Sequence, residues 1–301
     1  MRAAILDLGT NTFHLLIAEQ DLHGRLATVY RERIYVKLAT EGLARIGEAP
    51  MQRAEAALRV FRSRLDEHRI TRLRAVGTAA MRTASNGSTL LRYAREELAI
   101  DVEIIDGNEE ARLIHLGTMQ AIPRPEGRIL IMDIGGGSVE YIIADAEQVL
   151  WAASYPIGVG VLHRDFHHSD PMSHAEGAAL IAHLEHTLPE LRSALLEYPV
   201  QQLVGASGSF EVMELAMGKS ENRLYSPFRR QVFDDIYQEL RHSTHNERLT
   251  LHYLPAQRVD MIVVAAELIR YTLELCGADE IWVSAYALKE GVLAEMLLAI
   301  E

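Results

Sequence analysis

Two segments of this chain repeat one arrangement of residues that suits phosphate binding. The first reads AAILDLGTNTFHLLIAE from position 3, and the second reads ILIMDIGGGSVEYIIAD from position 129. An aspartate, a glycine and a small hydroxyl residue recur in register: Asp7 with Asp133, Gly9 with Gly135, and Thr12 with Ser138. Each copy predicts a strand, a tight turn and an antiparallel strand. Turns with so little side-chain bulk can close their N–H groups around an anion, so the repeat suggests a site for a phosphate chain and a cation.

The turn residues themselves are the first candidates for phosphate contacts. In the first copy, Thr10 and Asn11 add side-chain donors to the backbone donors that follow Gly9. A single Asp-x-Gly-Thr-Asn-Thr segment is more often an ordinary hairpin turn. The aspartate repeats 126 residues later, however, and a duplicated turn does not need a duplicated acid. We therefore predict phosphate binding by both turns, with Asp7 beside the first and the second made of Gly135, Gly136, Gly137 and Ser138.

Two carboxylates in the second copy are candidates for a metal site. Asp133 ends an apolar strand and enters the glycine turn, which suits Mg²⁺ held against phosphate oxygens. Glu140 follows in a mostly apolar strand, where a carboxylate without a partner is costly. A charge that reaches solvent at the strand edge is the alternative for Glu140. We favour a functional role for this carboxylate.

Three further positions carry weaker signals. Glu110 is one of two acids in the first turn of a predicted helix, where acids commonly stabilise the helix dipole, and a general base is the minority interpretation. Arg82 follows a strand, and a bidentate phosphate contact and a plain surface position explain it equally well. Ser207 and Gly208 lie in a Gly/Ser turn that could touch a phosphate or a nucleotide, but a lone turn of this kind is weak evidence.

The elements that must position these residues alternate between strands and helices in both halves. A third strand follows each repeat, at 26–38 and 149–157, and short strands are predicted at 73–76, 102–105, 203–205 and 281–283. Helices are predicted at 51–68, 109–121, 173–197, 255–276 and from about 286 to 301. A Pro/Gly-containing linker at 122–127 separates domains 1–122 and 123–301. This pattern predicts an α/β class with two similar domains, and we expect the last helix to pack back on the first domain.

Composition limits the class of protein. The 301 residues are 49% hydrophobic, which supports a substantial core, and Cys276 is the only cysteine, which rules out an intramolecular disulfide. The net charge of −12 argues against broad nucleic-acid binding but leaves an anionic substrate open. No apolar run is long enough for a membrane helix, and no leader pattern precedes the first strand. We expect a cytoplasmic protein without a membrane or nucleic-acid partner; the oligomeric state stays open, a homodimer included.

At this point the residues match a known family. The chain resembles the exopolyphosphatase/guanosine pentaphosphate phosphohydrolase family of the actin-like ATPase superfamily. The motifs that carry the resemblance occur in family order over nearly the whole chain: DLGTNTFHLLIA, GTAAMR, DGNEEARLIHLG, MDIGGGSVEY, YPIGVG, GASGSF, LPAQRVDMI and VSAYALKEGVL.

The resemblance implies two ribonuclease-H-like domains with the active site in the cleft between them. By motif position, Glu110 matches the general base that activates water, Asp133 and Glu140 match the acids associated with Mg²⁺, and Arg82 matches a phosphate-binding arginine. The first phosphate loop maps onto Asp7, Thr10 and Asn11, and the second onto Gly135 to Ser138. Members of the family split the terminal phosphate from inorganic polyphosphate, and some remove the 5′ γ-phosphate of guanosine pentaphosphate.

We therefore expect a Mg²⁺-dependent exopolyphosphatase. Larger members carry a further C-terminal helical region that extends the polyphosphate path, and a chain of 301 residues does not include it, so we expect short polyphosphates as substrates. Hydrolysis of guanosine pentaphosphate at the same site is one alternative. A sensor that binds polyphosphate or a guanosine tetraphosphate without hydrolysis is another. The presence of all three acids, Glu110, Asp133 and Glu140, argues against the sensor.

Overall fold

The computed structural model describes residues 2–21, 26–218 and 223–298, which form two compact units. Unit 1 holds the residues up to Gly117 together with those from Ala287 onward, and unit 2 runs from Thr118 to Tyr286. This division differs from the predicted domains 1–122 and 123–301. The helix that leads to the linker continues through the division, and the last helix belongs with unit 1.

Unit 1 is built on a five-stranded sheet in the order β3-β2-β1-β4-β5. The first three strands are antiparallel neighbours, and β4 and β5 run parallel to β1, which is the arrangement of a ribonuclease-H-like unit. The strands are β1 Arg2–Leu8, β2 Thr12–Gln20, β3 Leu26–Tyr35, β4 Leu73–Gly77 and β5 Val102–Ile104. The helices that follow them are α1 Glu48–Glu67, α2 Ala79–Thr83, α3 Gly87–Leu98 and α4 Gly107–Ala121.

One face of the unit 1 sheet is covered by α1. Alternate residues of β1, Leu6 and Leu8, pack in one core cluster with Leu58 and Phe61 of α1, and all four are at most 1% exposed. Alternation along the strand then places Asp7 on the opposite face, at the end of β1. The period of two therefore decides which side of the sheet carries the acid.

Unit 2 repeats the plan with a six-stranded sheet in the order β10-β11-β9-β6-β7-β8. Again three antiparallel strands, β6 to β8, are followed by strands parallel to β6, here β9 and β11, and β10 adds an antiparallel edge strand. The strands are β6 Ile129–Ile134, β7 Val139–Ala144, β8 Val149–Tyr155, β9 Gln202–Ala206, β10 Tyr225–Arg229 and β11 Glu280–Ser284. The helices are α5 Val159–Phe166, α6 His174–Thr187, α7 Pro189–Glu197, α8 Gly208–Ala216, α9 Arg230–His242, α10 His245–Thr250 and α11 Ile262–Cys276.

The last helix, α12 Leu288–Leu298, packs against β1 and crosses α4 within unit 1. The crossing is close because a glycine stands on each helix: an added Cβ would lie 2.0 Å from the Ala287 carbonyl at Gly117 and 1.9 Å from the Leu113 carbonyl at Gly291. Glu295 of α12 also accepts a hydrogen bond of 2.6 Å from Arg112. The predicted end of this helix at 301 lies outside the described residues.

The α/β class and the two similar sheets are confirmed, but some elements differ from the prediction. The single helix expected at 173–197 is two helices, because Pro189 lacks the N–H that would continue α6 and instead begins α7. The helix expected from 255 starts at Ile262, after a short 3₁₀ turn at Ala256–Arg258. None of the helices in the described part of the chain has the length and hydropathy needed to span a membrane.

Buried His167 makes the stability of unit 2 sensitive to pH. Within the described chain its Nδ1 has no hydrogen-bond partner, and burial, aided by His163 and Arg248, lowers its pKa from 6.5 to about 4. Because the unfolded histidine takes up a proton more readily, its contribution is complete above pH 6.5 and is lost as the pH falls towards 4. We expect about 2 kcal/mol of this loss between pH 7 and pH 5.

Urea unfolding of the wild type and of His167→Gln at pH 7 and pH 5 measures the pH-dependent contribution of His167 to stability. The variant should lose less stability than the wild type over that interval. The exposed neighbour provides the control, since His168→Gln should keep the wild-type pH dependence. Equal pH dependence in all three proteins would contradict the assignment.

Candidate active site

The two turns have the same geometry. The Gly9 N–H donates to the Thr12 carbonyl at 3.1 Å, and the Gly135 N–H donates to the Ser138 carbonyl at 3.0 Å. A Cβ on either glycine would lie 2.9 Å from that same carbonyl oxygen, so neither position accepts a larger residue without a shift of backbone. The repeat seen in the sequence is therefore a repeat of structure, and the predicted strand–turn–strand units are confirmed.

The first turn is held by the segment that follows β3. The N–H groups of Val36 and Lys37 both donate to the Asn11 carbonyl, at 2.9 and 3.0 Å, and the Leu38 N–H donates to the Thr10 carbonyl at 2.7 Å. Three consecutive amides thus fix two carbonyls of the turn. The sequence analysis assigned these residues to the third strand, which in fact ends at Tyr35.

A side chain of the first turn also anchors the helix that carries Arg82. Thr10 is 3% exposed, and its Oγ1 accepts a hydrogen bond of 3.2 Å from the Ala80 N–H in α2. The hydroxyl predicted to contact phosphate therefore has a structural partner already. It ties the turn to α2, so that the turn and Arg82 are positioned together.

The second turn is held in the same way, by hydrogen bonds from the start of α5. The Val159 N–H donates to the Gly135 carbonyl at 3.0 Å, and the Gly160 N–H donates to the Gly136 carbonyl at 2.9 Å. In a trans peptide the C=O and the N–H point in opposite directions. The N–H groups of Gly136 and Gly137 are therefore directed away from α5. Consecutive N–H groups that point the same way form an anion-binding concavity.

The structure separates the roles of the two acids that begin α4. Glu109 accepts hydrogen bonds from Arg112 at 2.7 and 2.8 Å, and chiefly these lower its pKa. Glu110 is 6% exposed, and its Oε2 accepts a hydrogen bond of 3.3 Å from Nη1 of Arg82. The same nitrogen donates to the Ile105 carbonyl at 2.6 Å. Only Glu110 thus combines burial with contact to the candidate phosphate-binding arginine.

The candidate metal ligands lie directly opposite each other. Asp133 on β6 and Glu140 on β7 are paired in the antiparallel ladder and are 6% and 2% exposed. Ser154, the partner of Glu140 on β8, donates its hydroxyl to Glu140 at 2.7 Å, and the Ser207 hydroxyl donates to Asp133. The alternative of a solvated strand-edge charge at Glu140 is wrong, because the side chain is buried.

This pair fits the requirements of Mg²⁺. Like charges directly opposite in a sheet repel each other, and buried carboxylates repel more strongly, so a cation would stabilise the arrangement. Among the described residues no cluster of three or more His, Cys, Asp or Glu side chains could hold a metal. A site with two carboxylates suits Mg²⁺, which commonly takes one or two of them and completes its shell with water and substrate phosphates.

The first copy differs at the corresponding pair. Asp7 on β1 is opposite His14 on β2, so an imidazole stands where the second copy has Glu140. A pair of opposed carboxylates therefore exists in the second repeat and not in the first. Opposed carboxylates, the arrangement that a cation would stabilise, therefore occur at the turn of unit 2.

The Gly/Ser turn at 205–209, which is a weak signal in the sequence, lies beside Asp133. Parallel pairing of β6 with β9 places Ala206 next to Asp133, and Ser207 follows in a left-handed conformation with φ of 70°. Gly208 then begins α8 against the side chain of Arg258, whose Nη1 would lie 1.8 Å from an added Cβ. The contact with Asp133 supports the functional interpretation of this turn.

Sequence reasoning missed the residues that support the site. Ser154 was not singled out because its contact depends on the register of the third strand. The Gly158–Gly160 stretch was not singled out because it acts through its backbone. The glycines at 158 and 160 hint at a close backbone approach, but the position of Ser154 opposite Glu140 follows only from the register of the strands.

Two ribonuclease-H-like units, each with a phosphate-type turn and an adjacent acid, define the class of this protein. The chain matches the model of the Ppx/GppA phosphatase family over residues 16–300, and it belongs to that family.

Solved structures and characterised relatives agree with this assignment. An exopolyphosphatase from Cytophaga hutchinsonii has a TM-score of 0.95 at 37% identity, with 100% of this chain and 99% of that chain covered. A family member from Aquifex aeolicus has a TM-score of 0.83 at 25% identity, with 99% and 98% covered. Guanosine-5′-triphosphate,3′-diphosphate pyrophosphatases of Aeromonas salmonicida and Aliivibrio fischeri are 30% and 28% identical over 300 residues. The match covers 98% of this chain and 59% of those relatives.

The glycine that backs the second turn offers a direct test of the site. A Cβ at Gly158 would lie 2.4 Å from backbone atoms of Gly136 and Gly137, so Gly158→Ala should displace the turn. The backbone of Gly158, with φ of −62°, suits alanine, and the effect should therefore be steric alone. We expect a loss of roughly 10²-fold in kcat/KM with the fold retained, measured by phosphate release and circular dichroism.

The matched control is Gly177→Ala in α6. There the nearest atom to an added Cβ is the tip of the Arg241 side chain at 3.1 Å, and activity should stay near that of the wild type. Full activity of Gly158→Ala would mean that the turn does not hold the substrate.

Proposed function

We propose that this chain hydrolyses the terminal phosphoanhydride of inorganic polyphosphate, with Mg²⁺ and with Glu110 as the general base. The observation that carries the proposal is the contact between buried Glu110 and Arg82 at 3.3 Å. It joins a proton acceptor to a phosphate-binding cation within one hydrogen bond. A site that only bound phosphate would have no use for a buried acid at that point, since the acid repels the ligand.

Each unit offers donors for substrate phosphates at its turn, and unit 1 adds Arg82. The N–H groups of Gly136 and Gly137 provide an anion concavity, and Asn11 and Ser138 add side-chain donors. A guanidinium has five N–H donors. Arg82 can therefore keep Glu110 and the Ile105 carbonyl on one nitrogen while it binds phosphate with the others.

The chemical step is the attack of water on the terminal phosphorus. The water oxygen forms the new P–O bond, the bridging P–O bond breaks, and the water proton passes to the Glu110 carboxylate. The products are orthophosphate and a polyphosphate shorter by one unit. Asp133 and Glu140 would hold Mg²⁺, which when bound neutralises charge on the phosphate oxygens. The protein contributes mainly position and electrostatics, as is usual in phosphoryl transfer.

Polyphosphate is favoured as substrate by the 37% identical exopolyphosphatase, which this chain matches over 99% of that protein's length. The second candidate is guanosine pentaphosphate, and it is favoured by the pyrophosphatases at 28–30% identity. The chain covers only 59% of their length, so the support is weaker.

Phosphate release in the presence of Mg²⁺ decides between these candidates. Tripolyphosphate, long-chain polyphosphate and guanosine pentaphosphate should be supplied separately, and we expect the highest kcat/KM with tripolyphosphate. Glu110→Gln should lower kcat by about 10²- to 10⁴-fold with little change in substrate affinity, because the general base is lost while the binding groups remain.

Glu109→Gln is the matched control, since it removes the adjacent acid on the same helix turn. It should keep kcat and cost about 0.5 kcal/mol of stability or less, the usual value of such a surface pair. Retained turnover in Glu110→Gln would refute the assigned role. Binding of all three compounds without hydrolysis by the wild type would favour the sensor.

The metal site can be tested without an activity assay. In the metal-free protein, Glu140→Gln removes the repulsion with Asp133, so its Tm should equal or exceed that of the wild type. Added Mg²⁺ should raise the Tm of the wild type and have little effect on the variant. Exposed Glu147→Gln should behave as the wild type. If the Glu140 variant kept the full response to Mg²⁺, the ion would have to bind elsewhere.

A further inference from the structure

The side chain of one residue with a left-handed backbone, Lys37, has no role in the site as described so far. Of the described non-glycine residues, four have positive φ: Lys37, Arg69, Ala99 and Ser207. Arg69 and Ala99 follow the ends of α1 and α3, where a left-handed residue is an ordinary way to end a helix. Ser207 and Lys37 end no helix, and each lies beside a phosphate turn. Strained residues of this kind cluster at functional sites.

Lys37 is held in this conformation by its surroundings. Its neighbours Val36 and Leu38 are fully buried in the core of unit 1. Its N–H donates to the Asn11 carbonyl of the first turn, and its own carbonyl accepts a hydrogen bond of 2.6 Å from the Thr40 hydroxyl. A glycine would adopt the observed φ of 47° without strain. A lysine there indicates that the side chain is used.

The partly exposed Lys37 side chain is also set apart from the core. Both neighbours are buried in the core, whereas the Lys37 side chain is partly exposed on a backbone position bonded to the turn, and a flexible stem carries its ammonium. Exposed Arg33 lies on β3, the strand that precedes Lys37, opposite His14, which is in turn opposite Asp7. Positive groups thus accompany the first turn along the edge strand of the sheet.

We propose that Lys37 binds the phosphates of the substrate at the first turn, and that it favours condensed phosphates, which carry charge on every unit. This inference rests on the proposed function, because it assigns a residue to the same site. Lysine is a common point-charge ligand of phosphate, as in the lysine of nucleotide-binding loops. In contrast to Glu110, Lys37 acts in binding rather than in the proton transfer.

Lys37→Gly separates the side chain from the backbone. It removes the charge and at the same time relieves the left-handed strain, so its Tm should equal or exceed that of the wild type. The KM for tripolyphosphate should rise by about tenfold, with kcat within about twofold, as for loss of one charge-assisted contact. Lys37→Arg keeps the charge and should stay within about threefold of the wild-type KM.

Arg69→Gly is the matched control, because it removes a positive charge and a left-handed strain of the same kind at the end of α1. It should leave KM unchanged. The effect of Lys37→Gly should shrink as salt is raised, since screening weakens the contact. An unchanged KM in Lys37→Gly, or an equal rise in Arg69→Gly, would overturn the inference.

The Kd for tripolyphosphate, measured by calorimetry, distinguishes a failure of the proposed hydrolysis from a failure of the proposed role of Lys37. If the wild type binds but hydrolyses none of the substrates, the proposed function fails, and a weaker Kd in Lys37→Gly still supports the phosphate contact. If the wild type hydrolyses tripolyphosphate and Lys37→Gly binds it equally well, the proposed function stands and the role of Lys37 is refuted.

Discussion

The close approach of backbone to backbone at the two glycine turns is the constraint on which the rest of the structure depends. Gly9 and Gly135 each donate to a carbonyl three residues later, and a side chain at either would collide with it. The turn carbonyls are then taken up by the segment after the third strand of each unit. The first three strands of each sheet therefore bring that segment to the turn, where its amides fix the turn carbonyls.

The two copies share this scaffold and differ in the chemistry placed on it. In unit 2, the residue opposite the aspartate is a buried glutamate, and the strain of two facing carboxylates makes the pair receptive to a cation. In unit 1 it is His14, and the neighbouring groups on the edge strand are basic. The same backbone turn thus stands beside different side chains in the two units, and our proposal gives the metal to the one with two carboxylates. The net charge of −12 is no obstacle, because the sign of the local groups decides what each turn attracts.

The sequence was sufficient for the parts of the site that depend on local pattern. The apolar runs of β1 and β6 lead to Asp7 and Asp133 near the strand ends, and the small residues after them predict the turns. The functional role assigned to Glu140 rested on the cost of burying a lone carboxylate, and the 2% exposure confirms the burial on which that argument relied.

What the sequence could not supply depends on register between distant segments. Ser154 contacts Glu140 because β8 pairs with β7 in one register, and a slip of one residue would turn it to the other face. The backing of the turns by Lys37 and by Gly158–Gly160 uses N–H groups, which carry no residue-specific signal. The split of the helix predicted at 173–197 is a different kind of failure, because Pro189 was a local signal and outweighs the apolar pattern on both sides.

The contact between Arg82 and Glu110 is best understood as a device for orientation. Glu110 is buried but Arg82 is exposed, and an ion pair with one exposed partner contributes little to stability. The value of the contact therefore lies elsewhere. Nη1 of Arg82 also donates to the Ile105 carbonyl in the loop between β5 and α4, and Thr10 ties α2 to the first turn. The arginine is thus fixed from both sides, and Glu110 is held in a single orientation relative to the phosphate turn. In the reaction that we propose, where the protein contributes position more than covalent chemistry, this fixed geometry would matter more than the contribution of the pair to the fold.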